Sequence, residues 1–205
     1  ARIEKGHVVI DFTNHEASLR HLDLAATNKR AIVIGSTGFT AEEMKKAARL
    51  SKKTRCVLAP NMSVGVNVLF KVLDDVARIL GDEYDVEIVE AHHHLKKDAP
   101  SGTAMKMAQI IAKALKRDLE KDGVYTRKGL IGERTKTEIG IQTLRAGDIV
   151  GEHNVMFGAV GERLEFIHRA HSRDNFAKGA IRAAKWIVGR KNGLYDMQDV
   201  LGLRA

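Results

Sequence analysis

AIVIGSTGFTAEEMKKAARLSKKTRCVLAP, from Ala31 to Pro60, decides the fold of this chain. Its first apolar run, Ala31 to Ile34, is short enough for a buried strand and ends at Gly35-Ser36-Thr37-Gly38. Thr40 then stands where a helix N-cap belongs, and Glu43, three residues on, completes a capping box for a helix reaching about Ser51. A second apolar run, Thr54 to Ala59, stops at Pro60-Asn61. Two buried strands joined by a helix predict a crossover unit in a parallel sheet. Upstream the pattern repeats: His7 to Asp11 with Phe12 reads as a strand, and Leu19, Leu22, Ala25 and Ala26 recur at helical spacing. These segments predict a doubly wound α/β arrangement.

Downstream, Val64, Val68, Val72, Val76 and Leu80 line one face of a helix from Val64 to Leu80. Asp85 to Ala91 alternates like a strand, and a polar loop leads to a helix from Thr103, with Ala104, Met107, Ala108, Ile111 and Leu115 on one side. The pattern then changes. Ile139–Leu144, Ile149–Phe157 and Leu164–Arg169 follow one another without helices, which predicts a mainly antiparallel sheet whose outer face needs a cover. A helix over Asn175–Val188, apolar at Phe176, Ala180, Ala183 and Ile187, precedes a Gly-Leu-Tyr-Asp turn and returns to the first domain. The expected division is residues 1–62 with 174–205 as one doubly wound domain, and 63–173 as a second, α+β domain whose uncovered sheet face suits packing against another subunit.

Composition excludes several classes. With 205 residues and 44% hydrophobic content, the chain can build a substantial core. No run approaches the ~20 apolar residues that span a bilayer, and the first residues lack the order of a signal peptide, so the expectation is a cytoplasmic protein with no membrane partner. Cys56, the single cysteine, lies inside an apolar run and reads as a small core residue. The formal charge of +8 raises a nucleic-acid reading. The basic residues are interspersed with 26 acids and there is one tryptophan, which argues for solvated helix faces instead. A positive surplus still suits an enzyme drawing in a dianionic substrate and a phosphorylated cofactor.

The chemistry concentrates in EAHHHLKKDAPSGTA, Glu90 to Ala104. A strand delivers His92, His93 and His94, then Lys96, Lys97 and Asp98, and the chain turns through Pro100-Ser101-Gly102-Thr103 into a helix. The start of that helix offers N–H groups and a positive dipole end to a carboxylate. Lys96 can supply charge or a proton, and a histidine exchanges protons near neutral pH. Each feature has an ordinary alternative: surface histidines, a simple cap at Ser101 or Thr103, solvated lysines. A metal site is disfavoured because consecutive residues on a strand point to opposite faces, so none is expected.

Read in order, E-x-H-H-x-x-K-x-D-x-P-S-G-T-A with its lysine at Lys96 resembles the signature of dihydrodipicolinate reductases. VVIDFT at Val8–Thr13, IGSTGF at Ile34–Phe39, APNMSVGVN at Ala59–Asn67, RAGDIVGEH at Arg145–His153 and SRDNFAKGA near the carboxyl end extend the resemblance along essentially the whole chain. The resemblance implies His92 as the proton-transfer residue and Lys96 as the cationic acid or stabiliser. It implies that His93, Gly102 and Thr103 contact the substrate carboxylates. It also implies that Gly35, Ser36 and Thr37 line the nicotinamide side of the cofactor site, that Ala59, Pro60, Asn61 and Met62 form a hinge touching the cofactor, and that Arg173 approaches the active site or the hinge. The implied reaction is hydride transfer from NADH or NADPH to 4-hydroxy-tetrahydrodipicolinate, with loss of water, in a homotetramer.

One departure stands out. The family pattern opens with a strand and a glycine-rich turn cradling the cofactor pyrophosphate, and this sequence starts just before a later strand. The expectation is a dinucleotide-binding domain lacking its first crossover unit, with a fragment favoured over a naturally shortened relative. The competing function is a catalytically silent dicarboxylate-binding or assembly module.

Overall fold

The computed structural model describes residues 3–204. It separates into two compact units, one comprising the chain up to Asn67 together with Asp174 onward, the other Val68–Arg173.

The first unit is a parallel α/β sheet. Strands β1 (Val8–Asp11), β2 (Ala31–Ile34) and β3 (Arg55–Leu58) alternate with helices α1 (His15–Thr27) and α2 (Ala41–Ser51). Thr40 accepts from the Glu43 N–H while Glu43 returns a carboxylate to the Thr40 N–H, so the capping box read from sequence is present. Alternate residues of β2 feed two cores. Ile32 and Ile34, with Cys56 and Leu58, pack against Leu19, Leu22 and Ala25 of α1 and Ala47 of α2. Ala31 and Val33, with Val57, pack on the other face against Ala180, Ala183 and Ile187 of a later helix and Met197 and Val200 of the last one. Both faces of the sheet are therefore covered, as a parallel sheet requires. Each fully buried leucine or isoleucine there contributes about 1.5–3 kcal/mol.

The second unit starts within α3 (Val64–Leu80) and holds β4 (Asp85–His92), α4 (Gly102–Ala114), α5 (Leu119–Asp122), β5 (Gly123–Val124), β6 (Ile139–Arg145), β7 (Gly151–Ala159) and β8 (Glu162–Ala170). Its sheet runs in the order β5-β6-β4-β7-β8. The pairings of β7 with β4 and β8 are antiparallel, as the sequence suggested. β6 instead lies parallel to β4, and β5 parallel to β6, so the sheet is mixed. Consecutive β6 and β7 are not neighbours, because β4 sits between them. Periodicity assigns strands but not their partners, which is why the order was not legible. Val86, Ile88 and Glu90 point to one face with Ile139, Ile141, Val155 and Phe157, all buried, and α4 packs alongside.

The chain then re-enters the first unit through α6 (Asp174–Ile187), β9 (Gly193–Tyr195) and α7 (Met197–Leu201). Here the Gly-Leu-Tyr segment is a fourth parallel strand paired with β3, not a turn, and Asp196 caps α7. Three residues are too few to show strand periodicity.

Candidate active site

The active-site elements of the second unit meet at the end of β4. Two residues apart on one strand, Glu90 and His92 share a face. Opposite them in register stand Thr143 and Arg145 of β6, and His153 of β7 faces Glu90.

Glu90 is fully buried. An unpaired carboxylate there would cost several kcal/mol, and five donors offset that cost. Arg145 grips it with both terminal nitrogens, each at 2.9 Å. His92 Nδ1 lies 2.6 Å from Oε2, the Ser101 N–H donates to Oε1 at 2.9 Å, and the Thr143 hydroxyl donates at 3.1 Å. Burial alone would raise the Glu90 carboxyl, but the bonds from His92, Arg145 and Ser101 outweigh it and hold it at about 2. Glu90 is thus an anion at any ordinary pH.

The consequences reach each residue of the segment. Arg145 also donates to the Asp98 carbonyl at 2.7 Å, tying down the loop that carries Lys96. Lys96 Nζ sits 2.8 and 2.9 Å from the two Asp98 oxygens, and that bond holds the Asp98 carboxyl below the usual carboxylate range. Ser101 caps α4 by accepting the Ala104 N–H, and its hydroxyl lies 3.0 Å from His153 Nε2. Gly102 and Thr103 form the first turn of α4. Gly102 is exposed, and a Cβ on it would meet nothing within 4 Å, so a ligand can approach the positive end of this helix. His93 is half-buried, and desolvation together with the positive charge of Arg173 lowers its pKa. His94 turns away to the Gly147 carbonyl at 2.8 Å, so the three histidines diverge. His92, Lys96, His93, Gly102 and Thr103 accordingly all belong to the segment between the end of β4 and the start of α4.

Sequence reasoning assigned no role to Glu90, Arg145 or His153. His153 is buried, its ring 5.3 Å from that of His92 and 6.4 Å from that of His168 on β8. Desolvation, reinforced by His92 and His168, pushes its pKa down to about 3, so it is a neutral support for Ser101. The available signals were an acid two residues before a histidine on one strand, and the place of Arg145 and His153 at the two ends of the RAGDIVGEH stretch; nothing in either paired the arginine with Glu90.

In the first unit, Gly35–Thr37 and Ala59–Met62 follow the carboxyl ends of β2 and β3, the crevice where open parallel sheets bind nucleotides. Gly35 fits there because a Cβ on it would lie 2.3 Å from the Phe12 ring. Thr37 and Pro60 are exposed. Two residues of this edge have their side chains engaged elsewhere. The Ser36 hydroxyl is buried against Ser18 Oγ at 2.5 Å, and the Met62 side chain is in the core beside Ala180. What these two residues leave at the edge is backbone. Asn61 is likewise engaged, its side chain accepting the Ser63 N–H.

A doubly wound parallel sheet with a glycine-bearing turn at its carboxyl edge, in the same chain as a unit that holds an imidazole, a lysine and a helix start together, defines an oxidoreductase of the dinucleotide-binding class. The models of the dihydrodipicolinate reductase amino terminus and carboxyl terminus match residues 1–62 and 65–201. The chain is 70% identical over 203 residues to the 4-hydroxy-tetrahydrodipicolinate reductase of Syntrophus aciditrophicus (strain SB), covering 99% of this chain and 76% of that protein. It is 64% identical to the enzyme of the same name from Geotalea uraniireducens (strain Rf4), covering 96% and 74%. A dipicolinate-bound dihydrodipicolinate reductase from Paenisporosarcina sp. TG-14 superimposes with a TM-score of 0.73 at 28% identity, over 95% of this chain and 73% of that one. The chain belongs to the dihydrodipicolinate reductase family.

Proposed function

We propose that this chain is a 4-hydroxy-tetrahydrodipicolinate reductase, which uses NADH or NADPH to form tetrahydrodipicolinate with loss of water in lysine and diaminopimelate biosynthesis. The observation that carries the site assignment is the Glu90–His92 pair beside Lys96 and the start of α4. Because Glu90 is ionised it can only accept, so the hydrogen between them belongs to His92 Nδ1. His92 Nε2 is then the atom that exchanges a proton with the substrate.

The substrate has two carboxylates. Gly102 and Thr103, at the positive end of α4, receive one through backbone and hydroxyl donors. His93 and Lys96 receive charge from the other side, and Lys96 exchanges its Asp98 partner for the ligand. Held this way, the ring is oriented for hydride delivery. The nicotinamide supplies the hydride when bound. Gly35, Ser36 and Thr37, with Ala59 to Met62, line its site mainly through backbone, and the room that Gly35 leaves for Phe12 supports that fit.

The outer face of the second sheet exposes Leu144 and Ile167, which supports its use as the contact of a homotetramer. No helix among the described residues is long and apolar enough to cross a membrane, and a cytoplasmic location follows from the biosynthetic role. Calorimetry with pyridine-2,6-dicarboxylate and with each nicotinamide cofactor tests this reading. Binding of both ligand types is expected; dicarboxylate binding without either cofactor would leave only a binding module.

A further inference from the structure

We propose that Glu90 and Arg145 act as a positioning pair that fixes the tautomer of His92 and, through one guanidinium, the loop that presents Lys96. This inference rests on the reading above that His92 and Lys96 serve the reaction. It adds two residues, neither of which needs to touch the substrate.

The geometry is directional. Glu90 Oε2 receives His92 Nδ1 and Arg145 Nη1, while Oε1 receives Arg145 Nη2, the Ser101 N–H and the Thr143 hydroxyl. Every neighbour donates and the ionised carboxylate only accepts, so none of these hydrogen bonds can run the other way. A neutral His92 is thereby restricted to the Nδ1–H form with Nε2 as the basic atom. Arg145 joins this arrangement to the Lys96 loop, because the Nη2 that binds Glu90 also binds the Asp98 carbonyl. Two further backbone bonds, from the Ala146 N–H to the His92 carbonyl and from the His94 N–H to the Gly147 carbonyl, dock the chain after Arg145 on the histidine segment. Proton donor and cation are therefore registered to one buried ion pair. Gly151 completes the arrangement, since a Cβ on it would lie 3.0 Å from His92 Nε2.

Replacing Glu90 by glutamine gives a sharp test. The amide must turn its NH2 group toward either the side of His92 Nδ1 and Arg145 Nη1 or the side occupied by three donors. The first is less unfavourable, and there His92 relieves the clash by moving its proton to Nε2. The groups facing this ring are Glu90 on its own strand, Arg145 from β6, His153 from β7 with His168 beyond it on β8, and Lys96, Asp98 and His93 in the adjoining segment. Loss of the Glu90 carboxylate leaves a positive surplus around the ring, so the acid–base limb of the kcat/KM profile moves to lower pH in the variant.

The experiment is proton–nitrogen NMR of the labelled imidazoles in the purified protein, with the His92 signals assigned by their loss in His92→Asn. Kinetics and pyridine-2,6-dicarboxylate titrations of Glu90→Gln and Arg145→Lys accompany it. The parent is expected to carry its His92 proton on Nδ1, and Glu90→Gln to carry it on Nε2. Glu90→Gln should lower kcat by on the order of 100-fold, with KM and dicarboxylate affinity each changed less than about 3-fold. Arg145→Lys keeps the charge but loses the fork; it should keep the Nδ1–H form and show a smaller loss of kcat. A parent His92 protonated on Nε2 overturns the proposal whether or not the variants fold. Equal loss of kcat and dicarboxylate affinity also overturns it, by making the pair merely structural. Absence of dicarboxylate binding in a parent with the expected tautomer would instead count against the functional reading and leave the positioning geometry standing.

Discussion

Acidification should destabilise this protein well before its carboxylates titrate, and His153 is the main reason. An unfolded chain takes up a proton at this imidazole near 6.5, whereas the buried ring in the folded protein resists protonation down to about 3. The native state therefore binds fewer protons than the unfolded state throughout that window, and stability falls as pH falls. Between about pH 7.5 and about pH 5 the lost stability from this one group is about 2 kcal/mol, at 1.36 kcal/mol per unit below the unfolded pKa. The figure barely depends on the folded value, because pH 5 still lies well above about 3. His168, also lowered by burial, adds a contribution of the same sign. The assay is urea unfolding at the two pH values for the parent and for His153→Gln, whose amide can still reach Ser101 but does not titrate. The parent should lose about 2 kcal/mol more than the variant over this interval. Equal losses in the two proteins would refute the assignment of His153 as a buried neutral imidazole.

The other predictions address the two sites separately. Lys96→Ala should reduce kcat by about 100-fold while leaving cofactor affinity nearly unchanged in calorimetry; equal losses in both would contradict its role at the substrate. Gly151→Ala places a methyl 3.0 Å from His92 Nε2. Displacing that ring should lower kcat/KM by about 10-fold to 100-fold, measured by steady-state kinetics, with thermal unfolding little changed. At Gly35→Ala the new Cβ would lie 2.3 Å from the Phe12 ring. Phe12 is exposed and can swing aside, so nicotinamide binding should weaken in calorimetry while thermal unfolding changes little and pyridine-2,6-dicarboxylate binding is unaffected.

Much of the first unit was legible because its signals are local. Thr40 and Glu43 cap a helix within one turn, and β2 throughout and β3 after Arg55 are apolar runs of the kind a doubly covered sheet demands. The second sheet was less legible. The parallel pairing of β6 with β4 depends on contacts between residues such as Ile88 and Ile141, which neither segment announces. The segment from Glu90 to Ala104 was found as a charged loop leading into a capped helix, but its internal order was hidden. Glu90 looked like any acid at the end of a strand until Arg145 and Thr143 arrived in register from β6. Ser36 and Met62 show a different gap: position along the chain places them at the carboxyl edge of the sheet, while packing turns their side chains inward. Direction of a side chain within a loop is set by tertiary partners, and a single sequence does not contain them.

The most direct test of the central claim is the oxidation of reduced nicotinamide by the purified protein supplied with freshly generated 4-hydroxy-tetrahydrodipicolinate. Substrate-dependent loss of NADH or NADPH absorbance, abolished by His92→Asn, is the predicted result. No oxidation of either nicotinamide, or oxidation that persists undiminished in His92→Asn, would contradict it.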